Sequence, residues 1–339
     1  MSGPALVTGG AGFIGAHVAR HLLDAGREVV VLDDLSGGFT ENVPERARFV
    51  EGSILDVPLI ERLFSEYRFS HVFHLAAYAA EGLSHFIRRF NYENNLIGSV
   101  NLLNASVLSG SVERYVFTSS IAVYGAGQVP MTEDLTPRPE DPYGIAKLAV
   151  EQDLMAAHDM FGLEWTVFRP HNVYGELQNI ADRYRNVVGI FMNQILLGKP
   201  LSVFGDGKQE RAFTHIDDVA PIIARSVEIP ESSCEIFNVG ADKPHSVNRL
   251  AEVVADSLGV EPDIDYLPAR NEVQIAYSDH SKAERLLGYH PQVELEEGIG
   301  RMAAWVREVG ARKSKPFGSV EIIENLPPSW RADLESESQ

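Results

Sequence analysis

An α/β fold built on a doubly wound parallel sheet is what this sequence predicts, and three observations lead there. Short runs rich in Val, Phe and Leu alternate with longer helical patterns, as in a parallel sheet covered on both faces. The first run leads straight into Gly9-Gly10-Ala11-Gly12-Phe13-Ile14-Gly15, a glycine turn that opens a helical pattern. The second run is followed by Asp33, 18 residues after Gly15.

In order, strands are expected at residues 5–8, 28–32, 49–51, 71–75, 114–119 and 165–169, with helical patterns at 14–25, 58–67, 86–109 and 143–161 between them. After about residue 170 the rhythm changes. A stretch rich in Gly, Asn and Arg (172–189) and a helix lead to Leu201-Ser202-Val203-Phe204-Gly205-Asp206-Gly207, whose end is turn chemistry. A strand at 236–239 and helices at 246–258, 281–287 and 294–308 complete the pattern. The expected division is a dinucleotide-binding domain (1–170 plus about 212–240), a smaller interleaved α/β lobe (about 171–211 and 241–311), and a polar tail (312–339) frayed at its end.

Composition narrows the function. A chain of 339 residues buries a large core, and it has neither an apolar run of roughly 18 residues nor a basic-then-apolar leader. The lone Cys234 has no disulfide partner and no second thiol for a Cys-based metal site, which fits a reducing cytoplasm; it reads as a small buried residue and no metal is expected. A net charge of −19 argues against nucleic acid as a partner, because backbone binding needs a basic face. An anionic substrate would need a local basic pocket.

The glycine turn carries the first chemistry. Strand, turn and helix aim backbone N–H groups and the positive end of a helix at a pyrophosphate. Here the spacing is G-x-x-G-x-x-G, over Gly9, Gly12 and Gly15, with Phe13 and Ile14 opening the helix. A carboxylate at Asp33 accepts hydrogen bonds from an adenosine ribose and repels a 2′-phosphate, favouring NAD over NADP. Asp34 and Ser36 are further candidates that could equally cap the loop. Ser53 and Ile54 follow the third strand on the adenine side. Ala76, Ala77 and Tyr78 follow the fourth, at the carboxyl ends where ligands of such sheets bind.

The second chemistry lies in Tyr143-Gly144-Ile145-Ala146-Lys147. An unperturbed phenol titrates near about 10 and is a poor base at neutral pH. Lys147, four residues on, shares a helix face with Tyr143 and favours the phenolate. Bringing the phenol to about 7 takes roughly 4 kcal/mol, within reach of an ammonium and a nicotinium charge in a desolvated cleft. Lys147 could also hold the nicotinamide ribose. Ser120, at the end of the fifth strand, could relay or orient a substrate alcohol's proton.

With the glycine turn, Asp33, Ser120, Tyr143 and Lys147 in this order, the chain resembles the extended short-chain dehydrogenase/reductase superfamily, a Rossmann fold. More narrowly, it is similar to the nucleotide-sugar epimerase/dehydratase branch that includes UDP-galactose (UDP-glucose) 4-epimerase. The likeness runs from residue 4 to about 308 and includes Tyr92-Glu93-Asn94-Asn95, Arg169-Pro170-His171-Asn172-Val173-Tyr174-Gly175, Phe204-Gly205-Asp206-Gly207 and Arg211-Ala212-Phe213-Thr214-His215-Ile216-Asp217-Asp218. The resemblance implies NAD, with Asn94, Ser119 and His171 joining the residues above around it. It also implies a UDP-sugar in the smaller lobe: Asn172 and Asn186 near the diphosphate, Val203 and Phe204 flanking the base, Arg211 and Arg270 on the diphosphate, and Glu272 on the nucleotide ribose. Two arginines are what an acidic protein needs to hold a diphosphate.

The resemblance further implies 4-epimerisation. Branch members that dehydrate carry an Asp-Glu pair where this chain has Ile121 and Ala122. Tyr143 would take the 4-hydroxyl proton as the C4 hydride leaves, and the 4-keto sugar would turn over before the hydride returns. Tyr277 stands where a bulky residue crowds the C2 substituent, which suggests glucose/galactose rather than N-acetylhexosamines. A uronic acid would need a cation, expected at position 179, where this chain has Asn179, with Arg183 and Arg185 nearby. Glu81 falls near the sugar, either as a solvated carboxylate or as a hydroxyl ligand or acid/base for lyase or oxidoreductase chemistry. A homodimer pairing the 86–109 and 143–161 helices is implied too.

Overall fold

The computed structural model describes residues 3–269, 273–314, 317–318 and 320–331. Seven strands form the main sheet: β1 (Ala5–Thr8), β2 (Val29–Asp33), β3 (Arg48–Glu51), β4 (His71–His74), β5 (Arg114–Thr118), β6 (Trp165–Pro170) and β7 (Glu235–Val239). They lie in the order β7-β6-β5-β4-β1-β2-β3 and every pair is parallel. The order reverses between β1 and β4, which places a crevice at their carboxyl ends.

Helices α1 (Phe13–Asp24), α2 (Val57–Tyr67), α3 (Gly98–Ser109), α4 (Pro142–Phe161) and α5 (Ile216–Arg225) flank this sheet. The strand period of two splits its residues between two cores. Val7, Val31, Phe73 and Phe168 pack under α1 and α5. Leu6, Val30, Val72 and Val167 pack under α2, α3 and α4. The helix Ser281–Leu287 also meets the main sheet, through Ala283 and Leu287. A third core gathers Phe191, Met192, Val203, Leu250, Val254 and Met302 beside it. Among the described residues, no helix is long and apolar enough to cross a membrane.

Three features depart from the sequence reading. The helix expected over 86–109 is broken into Arg88–Tyr92, a wide π turn at Glu93–Ile97, and α3. The wide turn delivers the buried Asn95 to Tyr78, whose backbone N–H and C=O it satisfies at 2.8 and 3.1 Å. Cys234 is half-buried rather than buried, with a left-handed backbone (φ 55°) and its Sγ 3.3 Å from His158 Nδ1. The expected polar tail instead brings Leu326 and Trp330 down onto Ala80, Leu83 and Ile87. These are apolar residues spaced too irregularly to read as an element. Residues 332–339 lie outside the described residues.

His74 joins the layers: its Nδ1 meets Thr8 Oγ1 and its Nε2 meets Ser99 Oγ, both at 2.8 Å. Burial, helped by the charge of Lys147, pulls its pKa down to about 3 from the ordinary 6.5. As pH falls below about 6.5 the unfolded chain takes up this proton while the folded chain refuses it. Stability from His74 is therefore full above about 6.5 and is lost progressively toward 3. Urea titrations between pH 7 and 4.5 will show a falling midpoint, and His74→Gln will flatten that fall; an unchanged slope in the variant contradicts this account.

Candidate active site

The turn between β1 and α1 is built by close approach. Gly9 has φ 71°, and a Cβ there would lie 2.8 Å from the Ala76 backbone. A Cβ on Gly15 would meet the Gly9 carbonyl oxygen at 2.1 Å, so the helix can pack on its own turn only without one. At the N-cap of α1, Gly12 offers no side chain, and no acidic residue sits in the first turn. The leading N–H groups, from Phe13 and Ile14 onward, are left for an anion. Asp33 closes β2 and accepts from Ala11 N–H at 3.0 Å and Leu35 N–H at 2.8 Å. Burial raises its carboxyl pKa and these donors oppose the rise. The donor set fits a dinucleotide: an open helix end for the pyrophosphate and a carboxylate fixed beside it.

The other residues on this side divide. Asp34 accepts from Ser36 N–H at 2.9 Å, closing a loop turn, and Ser53 accepts from Leu55 N–H at 3.2 Å. Ile54 is buried in the core against Gly98. Ala76 donates its N–H to Thr8 Oγ1 at 3.2 Å, and Ala77 follows it at the carboxyl end of β4. Tyr78 turns its ring toward Phe90 and Phe317. Asn94 donates back to Phe90 C=O at 2.9 Å, leaving the buried anchoring role to Asn95.

Tyr143 and Lys147 sit in the first two turns of α4, which Asp141 caps by accepting from Gly144 N–H at 2.9 Å, with Pro142 at the first position. Both side chains are buried. Ser120, just past β5, accepts from Ala122 N–H at 3.1 Å and shares a hydrogen bond with Tyr143. It therefore does both things the sequence allowed, capping a turn and touching the phenol.

The charge balance differs from expectation. Burial pushes the Tyr143 phenol well above its ordinary range; Glu81 and Asp141 add to the rise, while Ser120 and Arg185 oppose it. Lys147 instead directs its ammonium to the Thr118 carbonyl at 2.8 Å, 5.8 Å from the centre of the Tyr143 ring. Burial draws its own pKa down to about 7, against the pull of Glu151. Burial and the neighbouring carboxylates thus favour the neutral phenol, against Ser120 and Arg185.

Beneath this pair lies a network that the sequence reading missed. Glu151 accepts from Arg169 Nε at 2.9 Å and Nη2 at 2.5 Å, and from Ser119 Oγ at 2.5 Å. Arg169 Nη1 donates to Tyr124 Oη at 2.7 Å, which donates to Asn238 at 2.8 Å. Ser119 thus points into the ion pair. The signal was available, since Tyr143, Lys147 and Glu151 repeat every fourth residue and share a helix face.

His171 is buried, stacked on His280 with ring centres 5.3 Å apart, and its Nδ1 lies 2.9 Å from the Ala212 carbonyl. Gly240 makes room for it, because a Cβ there would overlap the imidazole. Burial draws its pKa down to about 3, so the ring is neutral. Asn172 adopts φ 42°, and Asn186 caps the helix Val187–Leu196 through Val188 N–H at 3.0 Å. Val203 is buried in the third core and Phe204 is half-buried. Arg211 donates to the carbonyls of Glu210 and Gln274 at 2.8 and 3.2 Å, and Tyr277 is half-buried, its carbonyl bonded to Met131 N–H at 3.1 Å. Arg270 and Glu272 lie outside the described residues. Glu81 is exposed at the start of the short helix Glu81–Ser84, and Arg185 pairs with Asp182 at 2.6 Å with its guanidinium 4.9 Å over the Tyr78 ring.

Comparison with known proteins agrees with this geometry. The chain is 34% identical over 310 residues to a UDP-glucose 4-epimerase of Mycolicibacterium smegmatis, covering 89% of this chain and 98% of the relative. It is 32% identical over 316 residues to a UDP-glucuronate 4-epimerase of Thermodesulfobacterium geofontis, covering 89% and 96%. Among solved structures, the Thermotoga maritima UDP-glucose 4-epimerase with UDP-glucose superposes with a TM-score of 0.86 at 36% identity, covering 99% of that chain with 90% of this one. Residues 5–240 match the NAD dependent epimerase/dehydratase family. The chain belongs to that family, as an NAD-dependent enzyme of the nucleotide-sugar 4-epimerase kind.

Proposed function

We propose that this enzyme interconverts UDP-glucose and UDP-galactose, with Tyr143 as the group that takes and returns the 4-hydroxyl proton. The observation that carries this reading is the buried hydrogen bond between Ser120 and Tyr143, set above Lys147 at the crevice beside the glycine turn. Held by these residues, NAD would supply reversible hydride transfer at C4. Ser120 orients the sugar hydroxyl toward the phenol. Lys147 ties the end of β5 through the Thr118 carbonyl and would hold the nicotinamide ribose. Ile121 and Ala122, on the turn that Ser120 caps, bring no second proton carrier, which supports simple epimerisation over dehydration. Asp33 and the backbone of Gly9–Gly15 would hold the adenosine and pyrophosphate.

The lobe comprising about 171–211 and 241–311 would receive the UDP, with Arg211 as a diphosphate ligand and Tyr277 beside the sugar. UDP-glucuronate is the second reading, and Arg185 favours it: its guanidinium lies over Tyr78, just past the carboxyl end of β4, and its charge opposes the rise of the Tyr143 phenol. A homodimer through α3 and α4 is supported by Leu108, Met160 and Phe161, which are 81%, 73% and 66% exposed there.

Three outcomes are expected. Purified enzyme given UDP-glucose without added NAD will yield the C4 epimer by NMR; conversion of UDP-glucuronate alone would reassign the substrate. Tyr143→Phe will lower turnover by about 10²–10⁴-fold while co-purified NAD stays unchanged, and retention of most activity would remove Tyr143 from its role. Light scattering will give a dimer mass, and Met160→Glu with Phe161→Glu will shift it to monomer; a wild-type monomer contradicts the pairing.

A further inference from the structure

The segment after the last long helix, Leu295–Val309, returns across the molecule to the neighbourhood of Tyr143. Phe317 packs on Tyr78 and Phe90, with ring centres 5.3 and 4.9 Å apart, and donates its N–H to Tyr184 Oη at 3.2 Å. Glu321 accepts from the N–H groups of Arg89 and Phe90, both at 2.9 Å, while its own N–H meets Phe86 C=O at 2.8 Å. Trp330 is buried edge-to-face between Phe86 and Tyr184, at ring distances of 6.4 and 5.2 Å, and its ring comes within 3.5 Å of a Cβ placed on Gly82.

Two pieces of chain that the segment grips also meet the Tyr143 backbone and the Tyr78 ring. Gly82 belongs to the short helix begun by Glu81, and Ser84 at its end accepts from Tyr143 N–H at 3.3 Å. Tyr184 precedes Arg185, whose guanidinium lies over Tyr78. Trp330 therefore sits between the backbone that carries Glu81 and the backbone that carries Arg185. Neither stretch has a long regular element of its own to fix it.

We propose that the described residues 317–318 and 320–331 form a strap that shapes the sugar end of the cleft, with Trp330 and Phe317 as positioning residues that set Glu81 and Arg185 relative to Tyr143. This rests on the reading of the cleft as a UDP-sugar site. Among the described contacts, Phe317, Glu321 and Trp330 meet neither the glycine turn nor Arg211, so the strap acts on the sugar end and leaves the UDP contacts alone. Displacement by about 1 Å at reacting groups is enough to cost a hundredfold in rate, and a large-to-small change at Trp330 would leave such slack between its two partners.

The test uses full-length holoenzyme and calorimetric titration with UDP and with the UDP-sugar that the wild type converts. Trp330→Ala will weaken the UDP-sugar about tenfold or more, change UDP by less than twofold and leave bound NAD intact, while Trp330→Phe will recover most of the loss. Equal weakening of UDP and UDP-sugar, or no change in either, overturns the strap. Should Trp330→Ala fail to fold, Glu321→Gln serves instead: a threefold or greater loss confined to the UDP-sugar supports the proposal, and unchanged affinity overturns it. Hydrogen exchange separates the two readings, because loss of amide protection at residues 81–90 in these variants reports the strap even if no UDP-sugar is turned over. Protection unchanged there overturns it.

Discussion

The site depends on a buried ion pair between Glu151 and Arg169. Glu151 and Arg169 are 1% and 2% exposed, and between them they engage α4, β6, Ser119 after β5, and Tyr124. Removing one partner of such a pair strands the other's charge in a low dielectric, which costs about 3–5 kcal/mol. The pair therefore fixes the rotation of α4 about its axis and the height of the β5 end beneath it. Tyr143, Lys147 and Ser120 come from those two elements, and their spacing is inherited from it. Lys147 adds a shorter tie, spending its charge on the Thr118 carbonyl.

This arrangement leaves Tyr143 with Ser120 as its hydrogen-bond partner and without a direct ammonium contact. The phenol lies in a buried pocket with Glu81 and Asp141 nearby, and the protein's own field holds its proton on. An ammonium four residues away along a helix reads as a direct electrostatic partner, but distance and direction decide, and here the ammonium faces the strand. His171 is neutral and packed against Gly240, with its Nε2 3.2 Å from His280 Nε2.

The main sheet was legible because each strand is a short apolar run between helical patterns, and the observed ends differ from the expected ones by a residue. Glycine spacing located the turn at α1 for a related reason: close backbone approach admits no other residue at Gly9 and Gly15. The π turn was hidden, since one extra residue in a helical coil barely alters the hydrophobic period, yet it exchanged Asn94 for Asn95 as the anchoring side chain. Glu151 lay in plain view on the Tyr143 face and was passed over because a lone glutamate on a helix is commonly solvated. The packing of Phe317 and Trp330 has no local signature at all. Those rings are ordered by partners more than a hundred residues away, which periodicity cannot register.

That last contact has a consequence for how the molecule is made. Glu321 and Phe90 are separated by 231 residues, and the chain leaves the ribosome from its first residue onward. The glycine turn, the sheet up to β6, and the helix bearing Tyr143 can all be assembled while the final segment is still being synthesised. Among the described contacts around the cleft, those made by Phe317, Glu321 and Trp330 are the last that a growing chain can form.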